Sequence, residues 1–414
     1  MKLFYSTKGQ YFLQIHPNAF APVEKSDIGL HAKRISYSVT TEEMLTPFEC
    51  LLYTAQTHNM VVYAGPLAGH RAGLVVRPSG EKLLVTDQCS AFSRKAVGGK
   101  FTFIERFLDE LFVDGHEHVI AWLSVALRSL LDGSFKPGQM LALAGPPACG
   151  KSFFHYLVTQ LLGGRSAKPY SYLTGRTAFN GDLARAEHLV VEDEVASTDI
   201  RARRNFGSAL KQFTASEELF IHDKGKIAFC AGTFRRITLS CNEEVENLMQ
   251  LPPLDASILD KIMLLRCKDS KPVLHEDRVK NKAEISKELP ALHRYLMRHK
   301  VPKAIACPRF GVTAWHNKDL LELVADTQPE HRLLTLVDEV LKDDAWKGTA
   351  TELEMKLRNS PFAPVATSLF YYPTACGVFL SRLAGKYPER FNQTSSRGST
   401  VWRISPHHLD SPGS

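Results

Sequence analysis

The sequence predicts an α/β protein with a parallel sheet at its centre, a small N-terminal α+β region before it and a small helix-plus-hairpin domain after it. Three observations carry this. Between residues 140 and 266, short apolar runs alternate with stretches of helical period, as strands joined by crossover helices do. Residues 60–87 alternate β-rich runs with glycine turns. From about residue 331 a helical period recurs three times and gives way to a strand–turn–strand pattern.

The bulk figures suit this reading. A chain of 414 residues with 44% apolar and 23% charged content is an ordinary globular composition with room for several domains. Lys plus Arg exceed Asp plus Glu by 51 − 44 = 7, a mild excess that permits a nucleic-acid partner without demanding one. The eight cysteines are scattered and form no C-x-x-C pair, which suits a reducing compartment. The start has no sustained apolar region, and the best apolar helix, "VIAWLSVALRSLL", is interrupted by Arg128 and is too short to span a bilayer. These features lead to the expectation of a cytoplasmic protein with no membrane partner.

In chain order, residues 1 to about 40 carry no clear pattern. The run from Met60 to Asp87 reads as short strands, with Pro78-Ser79-Gly80 as a hairpin turn. Phe101, Ile104, Phe107 and Leu108 predict one helix; Ile120, Leu123, Leu127 and Leu130 predict another. Strands are expected at Met140–Ala144, Leu189–Val191, Ile237–Cys241 and Ile262–Leu265, and helices at Ser152–Leu162 and Arg201–Phe213. The charged stretch Lys268–Lys287 reads as a boundary, and Leu289 to about Asp326 as helical. The division expected is therefore 1–110 (α+β, role unassigned), 111–270 (core), 271–330 (helical linker or lid) and 331–414 (terminal domain).

The chemistry is concentrated at "GPPACGKS". Gly145, Pro146, Pro147, Ala148, Cys149, Gly150, Lys151 and Ser152 fit G-x-x-x-x-G-K-[ST] between a strand and a helix. The glycines let main-chain N–H groups turn inward toward phosphate oxygens, and the helix start adds its positive end. The pattern assigns Lys151 to the β- and γ-phosphates of ATP and Ser152 to Mg²⁺. "HLVVEDEV" then places Glu192, Asp193 and Glu194 at a strand end, where a Mg²⁺ contact and a water-orienting base belong. Alternate side chains of a strand face opposite ways, so the working pair is Glu192 with Asp193, or Asp193 with Glu194. Asn242 closes the strand of "RITLSCNEE", where a neutral amide can hydrogen-bond an attacking water or the γ-phosphate.

This order of Gly145–Ser152, the acids, a basic segment and Asn242 resembles the superfamily 3 helicases, a branch of the AAA+ ATPases. "LLGGR", "FNGDLARAEHLVVEDE" and "LPPLDASILDKIMLL" look like the helicase part of phage and prophage primase-helicase proteins. The resemblance covers about residues 60–268 and the C-terminal domain. It implies a P-loop AAA+ core, a hexameric ring of identical chains, and translocation on single-stranded and forked DNA, with a primase or polymerase as a possible partner. Residues 1–100 show no acid cluster that would make the chain itself a primase.

The resemblance also implies a hairpin that carries cations to the DNA. "LFIHDKGKIAFC" fits it: Lys224 and Lys226 would grip phosphates and His222 would touch the backbone. Residues 201–240 hold eight Lys/Arg against three Asp/Glu, so charge is concentrated there. Arg201, Arg204, Ser208 and Lys211 share one helix face, a surface either for DNA or for plain solvation. Where the family places an arginine finger, this sequence has Lys261, a point charge rather than a planar fork. Arg266 downstream and Arg235 or Arg236 upstream are the alternatives.

In the terminal domain, Thr349 with Glu352 predicts a capping box, and "NQTSSRGSTVWRI" a hairpin turning at Arg397-Gly398. Three helices and a hairpin resemble a winged-helix domain, in which Arg382 and Arg397, with Lys386, Arg390 and Arg403, would meet DNA phosphates. His116 and His118, and the pair His407-His408, lack the companion ligands of a metal site. A competing reading makes the chain an ATP-gated replication-initiation or DNA-binding switch that separates no strands. A third makes it a defence or signalling ATPase in which the winged helix serves self-assembly.

Overall fold

A computed structural model describes residues 2–34, 46–192, 200–224, 228–269, 274–326, 329–342, 344–396 and 399–406. The chain divides into two compact units. One comprises 1–243 with 250–320; the other comprises 244–249 with 321–414.

The first unit opens with β1 (Leu3–Ser6), β2 (Tyr11–His16), β3 (Ala19–Val23), α1 (Lys25–Arg34) and α2 (Pro47–Thr57). Strand β4 (Met60–Val61) pairs parallel to β1, closing a sheet of order β3-β2-β1-β4. Leu3, Leu13, Ile28, Leu52 and Ala55 fill the space beneath it. The stretch without a readable pattern is thus a small α+β layer, its strands too short to signal by alternation. Next come β5 (Tyr63–Gly65), β6 (Gly73–Val76) and β7 (Lys82–Val85), a sheet of order β5-β7-β6. The β6–β7 hairpin turns at Pro78-Ser79-Gly80, where Gly80 has φ +83°.

Two helices follow, α3 (Thr102–Leu111) and α4 (His116–Asp132). In α3 the residues at helical spacing, Ile104, Phe107, Leu108 and Leu111, are the buried ones, whereas α4 is buried on nearly every face. An all-round apolar helix belongs in the interior.

The central sheet is built from β8 (Met140–Ala144), β9 (Ser166–Ala167), β10 (His188–Val191), β13 (Arg236–Cys241) and β14 (Ile262–Arg266). Its order is β14-β8-β13-β10-β9 and every pairing is parallel. Strand β8 is buried at all five positions, as a central parallel strand covered on both faces must be. Its crossovers carry α5 (Lys151–Leu161), α6 (Tyr170–Leu173), α7 (Ile200–Ala215), the hairpin β11 (Glu218–Ile221) with β12 (Phe229–Gly232), and α9 (Ala256–Leu259). Helix α8 (Val245–Leu248) belongs to the second unit. Helix α10 (Arg278–Arg298) packs on α3, α4 and α5 over one core with Trp122, Phe154 and Leu292.

The charged stretch Lys268–Lys287 runs into a long helix. From Arg278 onward it is the amino half of α10, capped by Asp277, whose side chain accepts from the Val279 N–H. Only one face of α10 is apolar, so its charges read as a linker. Residues 299–317 are largely irregular, with one 3₁₀ turn at Lys303–Ile305, before α11 (Lys318–Asp326). The division between the units falls within α11.

The second unit contains α12 (Pro329–Leu341), β15 (Trp346–Thr349), α13 (Ala350–Arg358), α14 (Ala363–Leu369), α15 (Ala375–Lys386), β16 (Phe391–Ser396) and β17 (Ser399–Ile404). Its sheet has the order β15-β17-β16. Leu333, Val337, Leu353, Phe379, Phe391 and Trp402 are among its core. The Thr349–Glu352 capping box forms in both directions. Strand β15 and helix α14 carry no sequence signal: β15 exists because Trp346 to Thr349 pair with Ile404 to Val401.

Candidate functional site

The carboxyl ends of four strands converge on one edge of the central sheet. The register aligns Ala144 of β8 with Cys241 of β13 and with Arg266 of β14, and Val191 of β10 with Leu239 of β13. Gly145, Asn242 and Glu192 each follow directly on such an end. In an open parallel sheet this edge is where ligands bind.

The loop from Gly145 to Gly150 joins β8 to α5. Gly145 is pinned: its N–H donates to the Cys241 carbonyl at 3.3 Å, and a Cβ there would lie 2.7 Å from Cys267 Cβ. Pro146 is half-buried, Pro147 and Ala148 are exposed, and Cys149 is buried. Gly150 has φ +105°, and Ala148, which has a side chain, has φ +60°. A non-glycine residue held there costs about 1–2 kcal/mol. The N–H groups of Ala148, Gly150 and Ser152 meet no acceptor among the described residues. Together with the first turn of α5 they form a main-chain cradle for an anion.

Lys151 lies within the loop. Its Nζ donates to the carbonyls of Gly145 and Pro146, both at 2.7 Å, and to Asn242 Oδ1 at 3.3 Å. It also lies 3.8 Å from Cys149 Sγ. Two residues that are far apart in the sequence, Lys151 and Asn242, are therefore in contact. Ser152 is exposed at the mouth of the loop, and Glu192 is half-buried at the end of β10. Asp193 and Glu194 lie outside the described residues.

Two further neighbours are Cys267, which no sequence signal marks as a site residue, and Arg266, one of the alternative fingers. Cys267 shares a hydrogen bond with Cys149. That bond, with Lys151 beside it, pulls the Cys149 thiol down to about 6 and pushes Cys267 up. Arg266 bridges Glu243 at 3.0 Å and Asp319 at 2.7 Å, and the Glu243 bond first, then both carboxylates, strengthens its charge. Arg266 had been named only as an alternative finger. Glu243 was visible as the residue after Asn242, but no spacing marks Asp319.

Lys261 lies elsewhere. It precedes β14 at the opposite edge of the sheet, where its carbonyl accepts from Met140 N–H. Its Nζ is committed to the Ser257 carbonyl at 2.8 Å and to Asp260 at 2.6 Å. Arg235 and Arg236 also sit at that edge. Both are buried, and burial lowers them to about 10 and about 9. Arg236 lies over the Phe234 ring at 4.7 Å.

The β11–β12 hairpin forms where the sequence placed it. Asn180, 1% exposed, clamps the end of β11 that leads into the turn: its Nδ2 donates to the Phe220 carbonyl and its Oδ1 accepts from the His222 N–H, both at 2.8 Å. Asp223 pairs with Arg185 at 2.6 Å. Lys224 is exposed beyond the clamp, and His222 is half-buried against the Phe179 ring. Lys226 lies outside the described residues. On α7, Arg201, Arg204 and Ser208 are exposed and Lys211 is half-buried.

In the second unit Arg382 pairs with Glu330 at 3.2 Å, and Lys386 reaches the same carboxylate at 3.6 Å. Arg390 pairs with Asp338. These three cations therefore serve that unit's own packing, whereas Arg403 is exposed. Arg397 and His407-His408 lie outside the described residues. Among the described residues no group of three His, Cys, Asp or Glu is placed to hold a metal, and no helix is long and apolar enough to cross a membrane.

Residues 143–255 match a family described as a "Family of unknown function (DUF5906)". No curated protein matches the chain. Among solved structures, "The apo structure of NrS-1 C terminal region" is similar with a TM-score of 0.59 at 12% identity, covering 98% of this chain and 96% of that one. Its A form, with the same identity and coverage, has a TM-score of 0.57. At this identity the likeness is one of fold. A structure titled "SCCmec type IV Cch - active helicase" has a TM-score of 0.31 at 12% identity, covering 94% of this chain and 73% of that one, and carries no argument. The fold is thus a mixed α/β one with a parallel sheet, shared over its length with the NrS-1 C-terminal region.

Proposed function

We propose that this chain is an ATP-hydrolysing motor of the superfamily 3 helicase type, with a P-loop AAA+ core and a C-terminal winged-helix domain. Acting as a ring of identical chains, it would draw single-stranded DNA through and part a fork during replication of a phage, prophage or plasmid. The observation that carries the reading is the contact of Lys151 with Asn242, beside a loop whose N–H groups meet no acceptor among the described residues, at the carboxyl edge of a parallel sheet.

The residues present fit MgATP. Mg²⁺, held by Ser152 with Glu192 or Asp193, would neutralise charge on the β- and γ-phosphates. Lys151 has two carbonyls and an amide to leave, all poorer partners than a phosphate oxygen. Its departure frees Asn242 Oδ1 to hold a water. A carboxylate of the Glu192, Asp193, Glu194 group would take the proton of that water as the water oxygen replaces ADP on the γ-phosphorus. The N–H groups of the loop hold the phosphates in register without rearranging, because Ala148 and Gly150 are already in left-handed conformations. The hairpin offers Lys224 and Lys226 to the strand, and the Asn180 clamp keeps it from yielding under load.

The test is phosphate release with and without single-stranded DNA, paired with strand displacement on a forked duplex. An ATPase that ignores DNA and separates no strands overturns the motor reading. One observation favours the switch as a second reading: Lys261 is bound to Asp260 and Ser257, not presented as a finger. The switch predicts ATP-dependent DNA binding without strand separation.

A further inference from the structure

Away from the strand edge, the carboxyl half of α10 and the segment before α3 enclose a groove of about 450 Å³. That is within the range of small-ligand sites. Its floor approaches closely because Gly98 has no side chain: a Cβ there would lie 2.9 Å from Arg294 Nη1. Val97 N–H donates to the Pro290 carbonyl at 3.3 Å, which fixes the segment on the helix.

The lining is aromatic and cationic together. Phe101 and Tyr295 meet with ring centroids 5.1 Å apart at 49°, and Tyr295 and His299 at 5.8 Å and 43°. Tyr295 as a residue is 42% exposed. Arg294 and Arg298 line the same groove and bond to no described residue. The two stretches that form it, "RKAVGGK" and "RYLMRHK", contain six Lys/Arg and no acid. Burial first, then Arg128, lowers the pKa of His299, and Glu117 opposes them. An exposed ring flanked by unpaired guanidinium groups is the chemistry of a stacking platform on a charged groove, which takes single-stranded nucleic acid.

We propose that this groove is a second contact for single-stranded nucleic acid, in which a base stacks on Tyr295 and the flanking phosphates pair with Arg294 and Arg298. It is separate from the hairpin and is occupied without nucleotide. The experiment is fluorescence anisotropy of labelled oligothymidylate with the full chain in the absence of ATP, in wild type and in a Lys224→Ala background. Tyr295→Ala weakens binding about tenfold, whereas Tyr295→Phe keeps it within about twofold. Arg294→Ala with Arg298→Ala lowers the salt slope by ~0.7 per phosphate lost. Thermal melts of each variant show that the fold is kept; the side chains are on the surface. An oligouridylate arm separates the sugars, and the same Tyr295 dependence there supports the site for either strand. Unchanged affinity in Tyr295→Ala overturns the proposal, as does a loss in the arginine variants alone. Displacement by polyglutamate as effective as by oligothymidylate overturns it in favour of an acidic peptide. Because no nucleotide is present, failure here leaves the ATPase reading standing, and failure of that reading leaves this one.

Discussion

Replacing Asn180 with alanine should loosen the hairpin without touching it. The Asn180 amide makes two hydrogen bonds of 2.8 Å to the hairpin backbone, one at Phe220 and one at His222. Asn180 is buried, but its two partners are only part-buried, so water can replace some of what is lost. Two such bonds contribute about 1 kcal/mol each, or about 2 kcal/mol together. The main-chain bond from Asn180 N–H to the His222 carbonyl remains, so the effect is local opening rather than global unfolding. At about 1.4 kcal/mol per decade, hydrogen exchange of the Glu218–Ile221 amides should speed up about 30-fold. DNA stimulation of ATP hydrolysis should fall in the same variant while the DNA-free rate holds, since Lys151 and Asn242 are untouched. Exchange at Glu218–Ile221 indistinguishable from wild type would refute the clamp. Faster exchange with full DNA stimulation would refute the link between the clamp and the motor.

Four further expectations follow. Lys151→Ala should cut phosphate release by about 10²–10³-fold with little change in melting temperature; a rate within a few-fold of wild type sinks the phosphate loop. Glu187 is fully buried between Arg165 and the Gly69 N–H, so Glu187→Ala should cost about 3–5 kcal/mol in urea unfolding, and a cost below 1 kcal/mol would contradict that pairing. His188 is fully buried in the Thr159–His188–Thr238 chain, and burial first, then His155, lowers its pKa. A histidine held neutral by folding contributes fully above its unfolded pKa of about 6.5, and that contribution is lost as pH falls toward the folded value. Stability should therefore decline below pH ~6.5 by up to about 1.4 kcal/mol per unit for this residue; a flat profile to pH 5, or an unaltered slope in His188→Gln, counts against it. Arg266→Ala should speed exchange at residues 243–249 and 318–320 together, and acceleration at one segment only would show that the two carboxylates are held independently.

The parts of this molecule that were legible in sequence share a physical trait: their signal is local. Met140–Ala144, the glycine loop and the Thr349–Glu352 box each announce themselves within a few residues, because strand burial, φ reversal and capping are short-range demands. The hairpin was legible for the same reason, through two β-like runs around Asp223-Lys224-Gly225-Lys226. What could not be read depended on distant partners. Strand β15 exists through β17, and α10 hides behind its own exposed charges. Asp319 and Cys267 reach the site by tertiary placement alone. The carboxylates that engage Arg382, Lys386 and Arg390, namely Glu330 and Asp338, lie on another helix, so these ion pairs leave no local trace.

Arg266 has one more consequence. The polypeptide passes between the two units next to Glu243 and again inside α11, just past Asp319, and these are the two carboxylates that Arg266 holds. A single guanidinium thus holds two carboxylates that lie far apart in the sequence, one of them directly after Asn242. Any event at the strand edge that recruits Arg266 elsewhere would release both carboxylates at once.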